Sequence, residues 1–101
     1  MTFTVRLTKE ADADIQRLIG FLVVQDLAAA RRARKAIAEG MKFLRKFPFS
    51  CRKADEDVSN PFLRELIIPF GGAGYVALFE IEDERTVIVI ALRHQREEDY
   101  H

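Results

Sequence analysis

The length and composition of the chain exclude several classes of protein. With 101 residues, of which 49% are hydrophobic and 32% charged, the chain is long enough for one modest core and too short for a separate cofactor domain. We therefore expect a single domain over residues 1–101. Its one cysteine, Cys51, excludes an intramolecular disulfide and a cysteine-based metal site within one chain. The sequence has no signal-peptide pattern and no apolar run near the roughly 20 residues that span a bilayer, so we expect a cytoplasmic protein without membrane association.

The net charge is zero, but the charges are unevenly distributed along the chain. Residues 31–53 contain nine basic residues and one acidic residue, whereas residues 54–101 contain four basic and eleven acidic residues. Overall neutrality argues against non-specific binding of nucleic acid, and the basic block offers a binding site to an acidic partner.

The first half of the sequence predicts a strand followed by two helices. Residues 2–7 alternate between polar and apolar side chains, as in a half-buried strand. Thr8 and Asp26 are suitable N-caps for two amphipathic helices, of which the first ends near Gln25 and the second is stopped by Pro48. The helix dipole favours the carboxylates that follow the first cap, which are Glu10, Asp12 and Asp14. The short connection between the helices predicts an antiparallel helical hairpin.

The second half predicts three antiparallel strands. Residues 47–61 show no steady period and predict a loop. Strand-like segments follow at residues 62–68, 75–82 and 85–93, and their short connections predict hairpins. The last segment is apolar on both faces, which is typical of an interior strand. The sequence therefore predicts an α+β protein of order β-α-α-β-β-β, with a helical hairpin packed on an antiparallel β-sheet.

The glycine-rich turn at residues 70–74 resembles a phosphate-binding loop only superficially. Gly71, Gly72 and Gly74 are not followed by the Lys-Ser/Thr pair and helix of a P-loop. A hairpin turn with positive φ explains the glycines better. Because the strands also lack Asp, Glu and His at metal-ligand spacing, we expect neither a metal nor a cofactor.

The end of the chain contains side chains suited to acid–base chemistry. RNA cleavage without a metal needs a base, an acid and cations that stabilise the negative phosphorane. His94, His101 or Tyr100 can transfer protons in such a reaction. The candidate cations are Arg64, Arg96, Arg52 and Lys53.

Each of these residues also has a purely structural explanation. His94 can be a hydrogen-bonded residue at the end of a strand, and Tyr100 can be part of a frayed terminus. Arg64 can be a half-buried arginine paired with Glu80 or Glu82 on the neighbouring strand. The basic block can be a solvated helix face.

Several segments together resemble one family, the RelE/ParE superfamily. They are the Phe47-Pro48 pair, the strand LREL at 63–66, the hairpin FGGAGYVALF at 70–79 and the ending ALRHQRE at 91–97. The resemblance implies a small bacterial toxin of a type II toxin–antitoxin module, often called a plasmid stabilisation protein. It also implies that a cognate antitoxin keeps the toxin inactive, and that operator DNA is bound only indirectly, through the antitoxin.

The superfamily has two activities, and the sequence favours one of them. RelE-like members cut mRNA on the ribosome, whereas ParE-like members inhibit DNA gyrase. The positions that resemble the RelE-type site, or lie close to it, are Arg64, His94, Arg96 and Tyr100. The neutral chain and the acidic run at 97–99 disfavour RNA binding, and the ending at 92–97 resembles the ParE type. We therefore favour a non-enzymatic ParE-like gyrase inhibitor, with a RelE-like endoribonuclease or a degenerate module that only binds antitoxin as the alternatives.

We expect the partner to bind basic and apolar surfaces. The residues that we expect to contact antitoxin or target are Arg31, Arg34, Lys35, Lys42, Arg52, Lys53 and Arg93. Phe21, Val23 and Val24 lie off the main stripe of the first helix and are candidates for exposed apolar contacts. We expect an extended or helical antitoxin segment to cover the helical hairpin and a sheet edge, with its acidic residues against the basic face at 31–46.

Overall fold

The protein consists of two helices packed against one five-stranded sheet. The structure is a computed structural model that describes residues 2–54, 60–97 and 100. Its elements in chain order are β1 (Thr4–Leu7), α1 (Lys9–Gln25), α2 (Leu27–Leu44), a short 3₁₀ helix (Pro48–Ser50), β2 (Arg52–Lys53), β3 (Leu63–Phe70), β4 (Ala73–Ile81) and β5 (Thr86–His94). The predicted α+β class and element order are confirmed, with β2 as an additional strand. None of the helices in the described part of the chain is long and apolar enough to cross a membrane.

The two helices begin at the predicted caps. The Thr8 hydroxyl oxygen accepts the Ala11 N–H at 3.0 Å, and the Asp26 carboxylate accepts the Ala29 N–H at 3.2 Å. The apolar sides of the two amphipathic helices face the sheet, and their buried residues are Ala11, Leu18, Ile19, Ala30, Ala33, Ile37 and Leu44. The hairpin therefore forms from local capping and helical periodicity.

The sheet has the strand order β1-β5-β4-β3-β2 and is mixed. Strands β2 to β5 pair with one another in antiparallel fashion, which was expected for β3, β4 and β5. The first strand differs from the expected antiparallel sheet, because β1 lies parallel to β5 with Thr4 opposite Thr86 and Leu7 opposite Val89. No short hairpin joins these two strands, so the turn rules that set the direction of β3, β4 and β5 do not apply to β1. The interior position predicted for the last strand is confirmed.

The two faces of the sheet have different environments. In β4, Tyr75, Ala77 and Phe79 belong to the core beneath the helices. Because side chains alternate along a strand, Val76 and Leu78 point to the opposite face, which we call the open face. The register places Glu65 of β3 on the open face beside Leu78.

Residues 47–54 contain regular structure where a loop over 47–61 was predicted. They include the 3₁₀ helix that begins at Pro48 and the strand β2, in which Arg52 pairs with Glu65 and Lys53 with Arg64. The prediction missed both because they are too short to show a period. Residues 55–59 lie outside the described part of the chain.

The outer edge of β5 extends beyond the end of β1 and is covered by the start of α1. Thr8 donates its backbone N–H to the Val89 carbonyl at 3.0 Å and its hydroxyl to the Ile90 carbonyl at 2.9 Å. The Leu92 N–H donates to the buried carboxylate of Asp14 at 2.9 Å. The N-cap Thr8 and the Asp14 side chain of α1 thus replace a neighbouring strand along this part of the edge.

The glycines of the β3–β4 hairpin serve different purposes. Gly71 has a φ of 60°, which confirms the positive φ predicted for the turn at this position. Gly74 lies inside β4, and a Cβ atom there would collide with the backbone carbonyl of Ile68. The hairpin is tighter than predicted, because β3 extends to Phe70 and β4 begins at Ala73.

We predict that Gly74→Ala lowers the free energy of unfolding by about 1–3 kcal/mol, because the added methyl meets rigid backbone in the sheet. The matched control is Gly72→Ala, since a Cβ atom at Gly72 has no neighbour within 4 Å. Urea denaturation of both variants measures the difference. Equal stability of the two variants would contradict the close approach at Gly74.

Candidate functional site

A polar cluster on the open face of the sheet anchors the end of the chain. The Tyr100 hydroxyl donates to Glu65 Oε2 at 2.5 Å. The other oxygen of Glu65 accepts from Nε of Arg52 at 3.1 Å, and Arg52 and Glu65 form an ion pair. Tyr100 is therefore docked on the sheet and is not the frayed residue considered above. His101 lies outside the described part of the chain.

This environment changes the protonation of Tyr100. Burial, followed by the hydrogen bond to Glu65 and the charge of that carboxylate, raises the pKa of Tyr100 well above its ordinary value. The phenol consequently keeps its proton at neutral pH and acts as a hydrogen-bond donor.

Arg93 holds the C-terminal turn from the same face. Its guanidinium carbon lies 5.0 Å from the centroid of the Tyr100 ring. One guanidinium nitrogen donates to the Glu97 carbonyl at 2.8 Å, with longer contacts of 3.4 Å to the carbonyls of His94 and Gln95. Arg93 thus has a clear structural role in ordering residues 94–97.

His94 lies on the other face of the sheet, beneath the helices. Its ring meets the buried Tyr75 ring edge-on, with 5.9 Å between the centroids. Its Nδ1 atom accepts the Arg96 N–H at 3.1 Å. The neutral imidazole therefore carries its proton on Nε2, which is the tautomer that this hydrogen bond assigns.

A pocket of about 450 Å³ lies between α1 and the ends of β3, β4 and β5. Its apolar wall consists of Leu18, Phe21, Leu22, Phe70 and Tyr75, and its polar rim consists of Arg17, His94, Arg96 and Glu97. The Phe70 and Tyr75 rings are stacked with centroids 5.8 Å apart. We call this site the α1 pocket.

An ion pair closes one side of the α1 pocket. Arg17 contacts the Glu97 carboxylate at 2.7 and 3.4 Å, and Glu97 also accepts the His94 N–H at 3.1 Å. The hydrogen bond from Arg17 lowers the pKa of Glu97, and the same bond raises the pKa of Arg17. This pair ties α1 to the C-terminal turn.

Arg64 is held by backbone carbonyls. Its Nε donates to the Pro61 carbonyl at 2.8 Å, and another guanidinium nitrogen donates to the carbonyls of Phe49 and Cys51 at 3.0 and 2.8 Å. Its guanidinium carbon also lies 5.4 Å from the centroid of the Phe49 ring. Arg64 therefore fastens the segment around the 3₁₀ helix to β3.

The predicted ion pair between Arg64 and Glu80 or Glu82 is wrong for the residues that the structure describes. Arg64 is opposite Phe79 in the register, so its side chain leaves the sheet on the helix-facing side. Glu80, on the open face, accepts from the Asn60 amide at 3.3 Å instead.

The four candidates for nuclease chemistry occupy three separate places. Arg64 lies beside the 3₁₀ helix, His94 and Arg96 line the α1 pocket, and Tyr100 lies on the open face. Only His94 and Arg96 come together. The sheet separates both of them from Tyr100.

The seven candidate binding residues form two groups. Four lie at helical spacing on the exposed side of α2, which we call the basic stripe: Arg31, Arg34, Lys35 and Lys42. In the other group Lys53 is exposed on β2, Arg52 is paired with Glu65, and Arg93 supports the C-terminal turn. The basic stripe is therefore the part of the set that is most accessible to a partner.

Sequence reasoning missed several residues of both sites. Glu65 is a buried carboxylate in β3, whose residues other than Arg64 and Glu65 are apolar, and a charged residue in such a strand is a usable signal for a buried polar contact. Arg17 and Glu97 gave no such signal, because exposed charges are common on helices and in turns. Phe70 and Tyr75 were indistinguishable from core residues.

Comparisons with known proteins agree with this fold. Residues 5–99 match the family described as ParE toxin of type II toxin–antitoxin system, parDE. The chain is 35% identical over 81 residues to Toxin RelE1 of Caulobacter vibrioides, covering 80% of this chain and 82% of that protein. A solved structure of a chromosomal ParDE toxin–antitoxin system from P. aeruginosa superimposes with a TM-score of 0.71 over 92% of this chain and 96% of its own, at 18% identity.

The fold and these matches define a toxin of a type II toxin–antitoxin module, within the RelE/ParE superfamily. The chain belongs to the ParE toxin family of these modules. Membership of this family implies a cognate antitoxin as partner. The predicted superfamily is thereby confirmed.

We predict that Tyr100→Phe lowers the free energy of unfolding by about 1 kcal/mol at neutral pH, because the hydrogen bond to the Glu65 carboxylate is lost. The folded state raises the pKa of Tyr100. The stabilisation that Tyr100 contributes is therefore complete below the ordinary tyrosine pKa of about 10, and it is lost as the pH rises above that pKa. The variant should therefore lose less stability than the wild type between neutral and strongly alkaline pH. Denaturation at several pH values measures both effects.

The control for this prediction is Tyr75→Phe. Burial raises the pKa of Tyr75 as well, so this variant should remove a separate part of the alkaline dependence and leave that of Tyr100 in place. An alkaline dependence unchanged by Tyr100→Phe would contradict the docking of Tyr100 on Glu65.

Proposed function

We propose that this protein is a ParE-like toxin that inhibits DNA gyrase through its surface and does not cleave RNA. The observation that carries the proposal is the separation of the two residues best suited to proton transfer. His94 is beneath the helices beside Tyr75, whereas Tyr100 is on the open face beside Arg93. Arg93 and His94 are adjacent in β5, and adjacent residues of a strand point to opposite faces. Tyr100, which lies against Arg93, is therefore on the face opposite His94.

The chemistry of RNA cleavage makes this separation important. The base that takes the 2′-hydroxyl proton and the acid that protonates the leaving oxygen must both reach one phosphodiester, within hydrogen-bond distance of the reacting atoms. A substrate bound on the open face contacts Tyr100, and one bound in the α1 pocket contacts His94. A shared acid–base site would require the chain to rearrange around β5.

The surroundings of Tyr100 also disfavour catalysis on RNA. Its raised pKa keeps the phenol protonated, so it is a poor base at neutral pH. The Glu65 carboxylate at its hydroxyl would repel a phosphate, and the whole chain carries no net positive charge. These features support a protein-binding function.

A RelE-like endoribonuclease is the second candidate, and one feature favours it. His94 and Arg96 lie together at the α1 pocket, so a proton-transfer group and a cation are adjacent there. The Caulobacter relative also has RelE1 as its name. Such a nuclease would use His94 without Tyr100.

We predict that the purified protein inhibits supercoiling of relaxed plasmid by DNA gyrase and leaves ribosome-bound mRNA intact. Both assays use the same preparation, and the matched control is the protein premixed with its antitoxin. The physical reason is that His94 and Tyr100 lie on opposite faces of the sheet, so they cannot act together as acid and base on one phosphodiester. Codon-positioned mRNA cuts with unaffected supercoiling would establish the nuclease; loss of neither process would identify an antitoxin-binding module without activity.

We also propose that the basic stripe on α2 attracts acidic residues of the antitoxin. Its four cations are exposed. Among the described residues, Glu39 is the carboxylate nearest to the stripe in the chain, and it lies 3.7 Å from the ammonium of Lys42. Exposed charges at an interface chiefly increase the rate of association. The antitoxin would in turn connect the toxin to operator DNA.

We predict that the double variant Arg31→Glu, Lys35→Glu slows association with the antitoxin by about tenfold at low salt, because steering by opposite charge is lost. Its dissociation rate should change little. Stopped-flow or surface-binding kinetics measure both rates, and Arg6→Glu, Arg85→Glu is the control with the same charge change on exposed residues elsewhere. Equal association rates for the two double variants would rule out the basic stripe as the attracting surface.

A further inference from the structure

An exposed apolar patch adjoins the α1 pocket. Phe21 is 67% exposed and Val24 is 87% exposed, and Val23 and Leu27 are also exposed. Phe21 and Val24 lie three positions apart on α1 and so are neighbours on its surface. Val23 lies between them in the chain and Leu27 begins α2; we call these four exposed residues the α1 patch. The predicted exposure of Phe21, Val23 and Val24 is confirmed. Because Phe21 also lines the α1 pocket, patch and pocket form one continuous surface.

The pocket is suited to one large apolar side chain. Its volume of about 450 Å³ leaves room for a large apolar side chain, and most of its lining is apolar. The stacked Phe70 and Tyr75 rings form its floor, and Leu18 and Leu22 of α1 form a wall. Burial of a leucine or phenylalanine side chain there would remove apolar surface of both molecules from water.

The rim of the pocket has an excess of positive charge and hydrogen-bond donors. Glu97 is already paired with Arg17 at 2.7 Å. In the described parts of the chain no carboxylate forms an ion pair with Arg96, whose side chain is exposed. The Nε2–H of His94 is a second donor, since Nδ1 accepts the Arg96 N–H. The rim therefore complements a carboxylate.

We propose that the α1 pocket and the α1 patch bind the antitoxin through an apolar anchor with an acidic neighbour. One large apolar side chain of the antitoxin enters the pocket, and a carboxylate one or two residues away contacts Arg96 and the His94 Nε2–H. The flanking antitoxin segment covers Phe21 and Val24. This inference rests on the antitoxin partner that the family implies and is independent of whether the toxin acts on gyrase.

Charge distinguishes this partner from a second copy of the chain. A symmetric contact between two copies centred on the pocket would bring the two Arg96 guanidinium groups together. Like charges facing one another at an interface are unfavourable. An acidic antitoxin segment would instead neutralise them.

The test measures the affinity of the full-length antitoxin for four toxin variants. Phe21→Ala removes the apolar contact and Arg96→Glu reverses the charge of the rim, and both positions are exposed, so the fold should be retained. We expect each variant to raise the dissociation constant by about tenfold or more, as substitutions of anchor residues do in other interfaces. The matched controls are Phe62→Ala and Arg85→Glu, which should remain within about twofold of the wild type, as substitutions outside an interface do.

The salt dependence of binding tests the carboxylate separately. The affinity of the wild type should decrease as salt increases, and Arg96→Ala should reduce that dependence, because one screened ion pair is absent.

Three results would overturn the proposal. The first is wild-type antitoxin affinity in both Phe21→Ala and Arg96→Glu. The second is a dimer of the free toxin that dissociates in Phe21→Ala, which would assign the surface to self-association. The third is a Phe21→Ala or Arg96→Glu variant that no longer inhibits gyrase but binds antitoxin with wild-type affinity, which would assign the surface to target binding. Because antitoxin affinity is measured without gyrase, failure of the gyrase proposal leaves this test intact.

Discussion

The hydrogen bond from the Leu92 N–H to the buried Asp14 carboxylate, at 2.9 Å, determines how the end of the sheet is built. β5 continues past the end of β1, so the outward N–H groups of its last residues have no strand to pair with. An unsatisfied buried N–H costs about 1–3 kcal/mol. Asp14 provides the acceptor, and the bond fixes α1 against β5 at the point where β5 leaves the core.

The positions of both sites follow from this constraint. With α1 held against β5, Leu18 and Phe21 of the same helix form one wall of the α1 pocket. The register of β5 then places His94 opposite Tyr75 and Arg93 opposite Val76. Consequently the chain end provides an aromatic pocket beneath the helices and a separate docking site for Tyr100 on the open face.

Local features of the sequence predicted the helical half of the fold. Thr8 and Asp26 cap the helices as expected, because capping and apolar periodicity depend on residues only a few positions apart. The direction of β1 and the existence of β2 were not predictable in the same way, since both depend on pairing with distant strands. Asp14 illustrates the limit: its place in α1 fits the helix dipole, while its bond to Leu92 joins residues 78 positions apart.

The candidate site was predictable in composition and not in arrangement. The sequence identified His94, Tyr100 and Arg64 as residues with suitable chemistry, and the fold gives each of them different neighbours. The contact between Tyr100 and Glu65 joins residues 35 positions apart, and no local sequence pattern predicts it. Whether two polar residues share a site depends on which face of the sheet each one points to. Opposite Leu78 and Phe79, β5 contains one extra residue, and this bulge reverses the alternation of faces along β5.

The central claim is that His94 and Tyr100 belong to separate sites and do not form one acid–base pair. The most direct measurement is growth arrest after induction, without antitoxin, of the double variant His94→Gln, Tyr100→Phe, with its folding checked by thermal unfolding. If the toxin acts through its surface, the folded double variant still arrests growth. Loss of nearly all toxicity in the folded double variant, and in each of the folded single variants His94→Gln and Tyr100→Phe, would contradict the claim and establish a catalytic site that uses both residues.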